Sequence, residues 1–185
     1  MDSAKQLLES LRLIQRDEKV LVAFSGGRDS VALARFLNSE GWKIALAHVN
    51  YGLRGEESQL DAEFCQQFAK NHGVKFHLKT VDSSEFENCS IQEKAREIRY
   101  LFFQDLCLEF GYSKIALAHH SADQMETFFL NLLRGTGIKG LSGMPISRDN
   151  IVRPLIHTSR QEVDEYIKKH NLNYRNDASN NSDKY

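Results

Sequence analysis

Short apolar runs alternate along this chain with longer amphipathic stretches, and no other feature of the sequence restricts the fold as strongly. The runs "KVLVAF" (19–24), "KIALAHV" (43–49), "VKFHLKTV" (74–81) and "KIALAH" (114–119) read as strands, and the segments between them have the length and spacing of helices. The first, second and fourth runs are nearly continuous in apolar residues, as strands covered on both faces must be. The third alternates, which places it nearer a sheet edge. Strands separated by helices predict an α/β fold with an open, doubly wound, mostly parallel sheet and flanking helices. In "METFFLNLL", Met125, Phe128, Phe129, Leu132 and Leu133 fall at i, i+3, i+4, i+7 and i+8, one apolar stripe of a helix. Capping boxes at "SIQE" (90–93) and "SRQE" (159–162) mark two further helix starts. The stretch "RGTGIKGLSGMP", with glycines at 135, 137, 140 and 143 and followed by Pro154, reads as a long loop.

The 185 residues suit one domain, because a chain near 150 residues already buries about 70% of its unfolded surface. We expect that domain over residues 1–170. Residues 171–185, "NLNYRNDASNNSDKY", with five asparagines, form a polar extension that begins a downstream segment. A formal net charge of -1 denies the whole chain a basic excess, so any nucleic-acid surface must be a local patch. The three cysteines, Cys65, Cys89 and Cys107, form no CxxC pair. That argues against a disulfide framework, a zinc knuckle or a dithiol redox site, and a reducing cytoplasm fits best. No basic region followed by an apolar run opens the chain, and no run approaches about 18 apolar residues, so neither export nor a membrane span is expected.

Chemistry concentrates at two strand-to-helix corners. In "AFSGGRDSVAL" (23–33), two glycines and two serines occupy the turn after the first strand. Backbone N–H groups at such a turn can approach an anion at a helix N-terminus, so Ser25, Gly26, Gly27 and Ser30 form a candidate phosphate cradle. Asp29 would repel that phosphate, which calls for a cation between them. A polar turn with serine and aspartate as caps accounts for the same residue types. The second corner, "ALAHHSADQMET" (116–127), has Ser121 and Gln124 at capping-box spacing, which puts Asp123 in a first helical turn. Asp123 there complements the helix dipole, or else it joins Asp29 across adjacent strand ends to hold one Mg2+. A zinc site through His119, His120 and Asp123 is disfavoured, because adjacent residues at a strand end point opposite ways.

The loop "SGGRDS" resembles the SGGxDS pyrophosphate loop of the N-type ATP pyrophosphatases. Four further stretches narrow the resemblance: "HVNYGLRGEES" (48–58), "QEKAREIRY" (92–100), "ALAHHSADQMETFFLNLLRGTGIKGLSGM" (116–144), and "RPLI" (153–156) with "YRNDASNNSDKY" (174–185). Together they resemble the catalytic domain of the tRNA(Ile)-lysidine synthetase family over essentially the whole chain. One departure is Tyr51, where that family usually has histidine.

The resemblance implies a Rossmann-like fold of the adenine nucleotide alpha hydrolase type. It also implies a ligase that uses ATP to adenylate the C2 oxygen of the wobble cytidine of an isoleucine tRNA with a CAU anticodon, after which the amine of L-lysine displaces AMP. By the same resemblance Ser25, Gly26, Gly27, Arg28, Asp29 and Ser30 bind ATP, and His48 and Asn50 meet the nucleoside. Asp29 and Asp123 hold Mg2+. His119 and Arg96 lie near the reacting phosphate and base as positive groups that stabilise developing charge. Lys139 reads first as a solvated lysine of a glycine-rich loop, with a contact to phosphate or RNA as the alternative, and a homodimer is compatible with the resemblance. Asp177, Ser179, Asn180 and Tyr185 match a final motif that the family continues with arginines, so ATP binding is expected of these residues and efficient tRNA modification of a longer chain.

Two other readings compete. A tRNA sulfur transferase activates a base in the same way, but needs a persulfide or an iron–sulfur cluster; Cys65 and Cys107 stand beside apolar residues and read as small buried hydrophobes. A nucleotide-binding module without chemistry would not need both Asp29 and Asp123.

Overall fold

The computed structural model describes residues 1–86, 90–137 and 142–175. Cys89, Lys139, Asp177, Ser179, Asn180 and Tyr185 therefore lie outside the described residues. The elements run α1 (Asp2–Ser10), β1 (Lys19–Ala23), α2 (Arg28–Ser39), β2 (Lys43–Asn50), α3 (Glu56–Asn71), β3 (Lys75–Thr80), a short 3-10 helix (Ser83–Phe86), α4 (Ile91–Phe110), β4 (Lys114–Ala116), α5 (Ser121–Leu133), β5 (Ser147–Arg148), β6 (Ile151–Val152) and α6 (Arg160–Lys169).

The strands form one sheet in the order β3-β2-β1-β4-β6-β5. All neighbours are parallel except the β5–β6 hairpin. The chain thus builds outward from β1 through β2 to β3, then crosses back along α4 to place β4 on the other side of β1. That reversal creates a switch point between β1 and β4, and ligands of open α/β sheets bind in the crevice beyond the strand ends there.

Side-chain alternation divides the core. Val20 and Val22 of β1 point into the larger cluster, which Leu8 of α1, Leu33 and Leu37 of α2, Cys65 and Phe68 of α3, and Val163 of α6 complete. Leu21 points to the opposite face, where Phe103 and Leu106 of α4 cover Ala45, Ala47 and Ile115. This period of two explains why β1, β2 and β4 read as continuous apolar runs: both faces are covered. β3 lies at the edge, as its alternation predicts, with Leu78 exposed. The β5–β6 hairpin escaped the sequence reading because two-residue strands are too short to show a period. It turns through Asp149 at φ 56°.

One expectation about helices requires correction, the capping box at Ser90, and one is met without the cover that an apolar face invites. The apolar stripe of α5 forms at the expected spacing, yet none of that helix is buried, and Met125 and Leu133 remain 60% and 84% exposed. Spacing specifies a face, and a face needs a partner; none covers this one among the described residues. Ser90 does precede α4, but its side chain makes no cap hydrogen bond. The box at α6 is complete. Glu162 N–H donates to Ser159 Oγ at 3.2 Å, and Glu162 Oε2 accepts from Ser159 N–H at 2.8 Å.

That box carries a pH dependence. The N–H of Ser159 holds the Glu162 carboxyl below its ordinary range against the opposing effect of burial, and the hydroxyls of Ser159 and Ser3 and the N-terminal ammonium add to it. A carboxyl depressed in the folded state stabilises above its unfolded value of about 4.3, and that stability is lost as pH falls through the folded value. Glu162→Gln is expected to lower the thermal midpoint at pH 7 by the equivalent of about 1 kcal/mol or less, since the group is partly exposed. The difference from the parent should close below pH 4. A gap that persists at pH 3 in paired melting curves would contradict the assignment.

Candidate nucleotide site at the switch point

The loop between β1 and α2 is fixed from below. Phe24 is buried and its ring packs at a tilt against Phe68 with centroids 4.9 Å apart. Gly26 takes φ +84°, and a Cβ built there would meet Cys65 Sγ at 3.0 Å and Phe64 Cδ1 at 3.2 Å. Both the conformation and the space exclude a side chain. Gly27 N–H donates to Ser25 Oγ at 3.2 Å, and Ser30 Oγ donates to Gly27 O at 2.8 Å. Ser30 has only one proton to give, so the 3.2 Å contact between the two hydroxyls is a donation from Ser25 to Ser30. α2 begins at Arg28 with no side-chain cap. Its first-turn N–H groups have no intrahelical acceptor, and together with the helix dipole they form an anion cradle.

His120 joins the second corner to the first. It is the N-cap of α5: Ala122 N–H donates to its Nδ1 at 3.2 Å, while His120 N–H donates to Asp123 Oδ2 at 2.7 Å. The capping pair is therefore His120 with Asp123, one residue earlier than the spacing of Ser121 and Gln124 predicted. Gln124 is engaged elsewhere, accepting from Met144 N–H at 2.6 Å and donating to Met144 O at 2.9 Å. The imidazole of His120 lies between two carboxylates, with Nε2 3.6 Å from Asp29 and Nδ1 3.5 Å from Asp123. The Asp29 carboxylate raises His120 above its ordinary value despite burial. Burial would raise Asp29 in turn, but His120 and Arg28 outweigh it and hold that carboxyl below the usual range.

The adjacent His119 faces the other way. Arg153 Nε donates to His119 Nδ1 at 3.1 Å. A guanidinium has no acceptor and stays charged, so Nδ1 is the bare nitrogen and the proton sits on Nε2. Burial lowers His119 below its ordinary value, and Arg153, Arg99 and Arg96 add to that effect against Asp123. His119 is thus a neutral Nε2–H donor, which corrects the expectation of a positive imidazole beside the reacting phosphate. Arg96 is exposed on α4, with its guanidinium 4.9 Å from the centre of the Tyr100 ring.

The remaining candidates support the loop from below and beside. Buried His48 donates Nδ1–H to Phe24 O at 2.8 Å, and burial keeps it neutral. Asn50 accepts from Gly52 N–H at 2.9 Å, shaping the turn after β2. Tyr51 donates to Ala95 O at 3.0 Å and packs edge-on against Phe86, so the unusual tyrosine ties this turn to α4. The Arg28 side chain binds Asp29 at 2.9 Å and Asp164 of α6 at 3.0 Å, leaving its backbone N–H to face an anion. Asp61 is a hub that the sequence reading missed: it pairs with Arg54 at 2.6 Å and Arg175 at 2.7 Å, and Arg175 N–H also donates to Gly26 O at 2.9 Å. His120 and Arg153 were missed as well. His120 stood within a quoted motif, but Asp61 carried no signal, because Arg54 lies across a turn from it and Arg175 comes from a distant segment.

The family model described as the PP-loop domain matches residues 1–185. The chain belongs to the PP-loop domain family. Among curated relatives of this PP-loop domain, the tRNA(Ile)-lysidine synthase of Bacteroides thetaiotaomicron is 40% identical over 181 residues, which is 96% of this chain and 42% of that protein. The tRNA(Ile)-lysidine synthase of Porphyromonas gingivalis strain W83 is 43% identical over 173 residues, 91% of this chain and 38% of that protein. The PP-loop domain described here spans 38–42% of the length of these relatives. Among solved structures, the U34-tRNA thiolase NcsA from Methanococcus maripaludis with its 4Fe-4S cluster superposes with a TM-score of 0.76 at 19% identity, over 94% of this chain and 65% of that one. At that identity the likeness is one of fold: a mostly parallel, Rossmann-like sheet of the adenine nucleotide alpha hydrolase type.

Proposed function

We propose that this PP-loop domain activates the wobble cytidine of an isoleucine tRNA with ATP and joins it to L-lysine in the cytoplasm. The observation that carries the reading is the meeting of an uncapped helix N-terminus with two carboxylates, Asp29 and Asp123, at one switch point. The first feature suits polyphosphate, and the second suits the cation that accompanies it. The relatives of 40% and 43% identity named tRNA(Ile)-lysidine synthase support a tRNA substrate, and with it this reading.

The donor set fits Mg2+. This ion keeps several waters and takes one or two carboxylates plus substrate phosphates, whereas among the described residues no cluster of three or more metal-binding side chains stands ready to hold a metal alone. Asp29 and Asp123 would hold the ion, and when bound it would neutralise charge on the phosphate oxygens. The N–H groups of Gly26 and of Arg28 to Ser30 orient the pyrophosphate. The C2 oxygen then bonds to the α-phosphorus as the bond to pyrophosphate breaks, and in a second displacement the lysine nitrogen bonds to C2 as AMP departs. His119, neutral and fixed as the Nε2–H tautomer, donates a hydrogen bond without competing for a proton. Sulfur transfer would need a thiolate instead. Cys65 is fully buried and burial pushes its thiol up, and Cys107 is shifted the same way.

Mg·ATP is expected to raise the thermal midpoint more than ATP with chelator. A ligand at 100 times its dissociation constant adds about 2.7 kcal/mol, so the difference is measurable. Equal shifts would remove the metal from the reading. The test of function is pyrophosphate release from ATP, Mg2+, L-lysine and a tRNA transcript with a CAU anticodon. We expect release that depends on the RNA and AMP formation that depends on lysine; release indifferent to the RNA would overturn the assignment.

A further inference from the structure

The peptide that joins Gly26 to Gly27 has no Cβ on either side, so little in the chain itself fixes which way it faces. In a trans peptide the C=O and the N–H point opposite ways, and here each end has its own partner. Gly27 N–H donates to Ser25 Oγ at 3.2 Å, and Gly26 O accepts from Arg175 N–H at 2.9 Å. The first bond is local, whereas the second comes from the far end of the described chain. A flip would break both bonds and swing the carbonyl oxygen to the Ser25 side of the turn, where it would repel a phosphate.

Arg175 reaches Gly26 because residues 170–175 turn away from α6 through Asn171 at φ 48°, and Leu172 packs against the larger core cluster. Its side chain then fastens to α3. Nε donates to Asp61 Oδ1 at 2.7 Å, and Nη2 donates to Glu57 Oε2 at 2.5 Å. Glu57, Asp61 and Cys65 stand one turn apart along α3, on one face, and Cys65 Sγ is the atom 3.0 Å from a Cβ built on Gly26. The same face of α3 therefore holds the loop twice: by contact beneath Gly26, and through Arg175 at its carbonyl. The two ion pairs differ in weight. The Asp61 side chain is 10% exposed and shielded from water, while that of Glu57 is 64% exposed and screened.

We propose that Arg175 is a positioning residue: clamped by Asp61 and Glu57, it straps the Gly26–Gly27 peptide in the orientation that admits an anion. The proposal rests on the nucleotide reading of the cradle for its ligand, Mg·ATP. Arg175 acts through Gly26 rather than on the nucleotide, and it sets the fraction of molecules whose loop is already formed. Apparent affinity falls in proportion to that fraction.

Two measurements test the strap: solvent exchange of backbone amides without nucleotide, followed by NMR, and equilibrium titration with Mg·ATP. Arg175→Ala, Arg175→Lys and Glu57→Gln are compared with the parent and with Leu106→Val, a core truncation on the opposite face of the sheet. Melting curves establish that each variant folds. We expect Arg175→Ala to speed exchange at Gly27 and at residue 175 tenfold or more, with a smaller change at Leu21, and to bind Mg·ATP at least tenfold more weakly. Arg175→Lys, which keeps a cation for Asp61, should restore most of both, and Glu57→Gln should change each by threefold or less. Leu106→Val should lose stability with affinity within twofold of the parent. Exchange at Gly27 within twofold of the parent in Arg175→Ala, or a loss of affinity that Leu106→Val reproduces, overturns the proposal. A parent that binds no Mg·ATP overturns the nucleotide reading instead, and exchange at Gly27 then decides the strap by itself.

Discussion

Asp29→Asn and Asp123→Asn are each expected to reduce pyrophosphate release at least about 100-fold while leaving the fold intact, the scale on which a disturbed metal site affects activity. The substitutions keep the shape of the side chains. In Asp123→Asn an amide oxygen can still accept the His120 N–H bond that caps α5. In Asp29→Asn, Arg28 keeps its pair with Asp164, and His120 loses the carboxylate that raised it. What disappears in both is one of the two negative charges beside His120, the quantity that a divalent cation needs and packing does not. Circular dichroism and the melting curve should therefore change little. Near-normal turnover by either folded variant would sink the two-carboxylate reading.

Gly26→Ala should act through geometry rather than charge, and we expect it to lower both stability and nucleotide affinity. A non-glycine residue at φ +84° is strained by about 1–2 kcal/mol, and forcing a methyl against Cys65 Sγ at 3.0 Å and Phe64 at 3.2 Å adds about 1–3 kcal/mol. The sum, about 2–5 kcal/mol, would be read in urea unfolding, with ATP affinity at least tenfold weaker. Cys65→Ala removes the nearer obstacle. The double variant should be less damaged than the two single changes predict together, because neighbours in contact are not additive. Strict additivity would mean that the methyl finds another place and that the loop does not rest on Cys65.

The corner at Ser25 to Ser30 was legible because its requirements are local: a strand end, a glycine where φ is positive, serines that bond within five residues. The sheet was legible for the same reason, since covering both faces leaves its mark in each strand separately. Asp123 lies in the first turn of α5 as expected, although the capping pair is not the expected one. The box spacing of Ser121 and Gln124 looked sound, but Gln124 finds Met144 twenty residues away and His120 takes the cap. Residue type alone could not choose between His119 and His120. Their difference lies in which face each meets, Arg153 on one side and Asp29 on the other. The outward face of α5 shows the converse limit: spacing recorded the stripe faithfully and carried no information about what, if anything, lies against it.

The order β3-β2-β1-β4 also has a consequence in time. β1 is the first strand to be synthesised and stands between β2 and β4, yet β4 follows it by roughly 90 residues. At the usual pace of the ribosome, about 5–20 residues per second, one side of β1 waits about 5–18 s for its neighbour. During that interval the backbone edge of Val20, Leu21 and Val22 is open to any passing strand, the situation in which unpaired apolar edges aggregate. The crevice between β1 and β4 is thus the last part of the central sheet to close, so the pocket matures late in the life of the nascent chain.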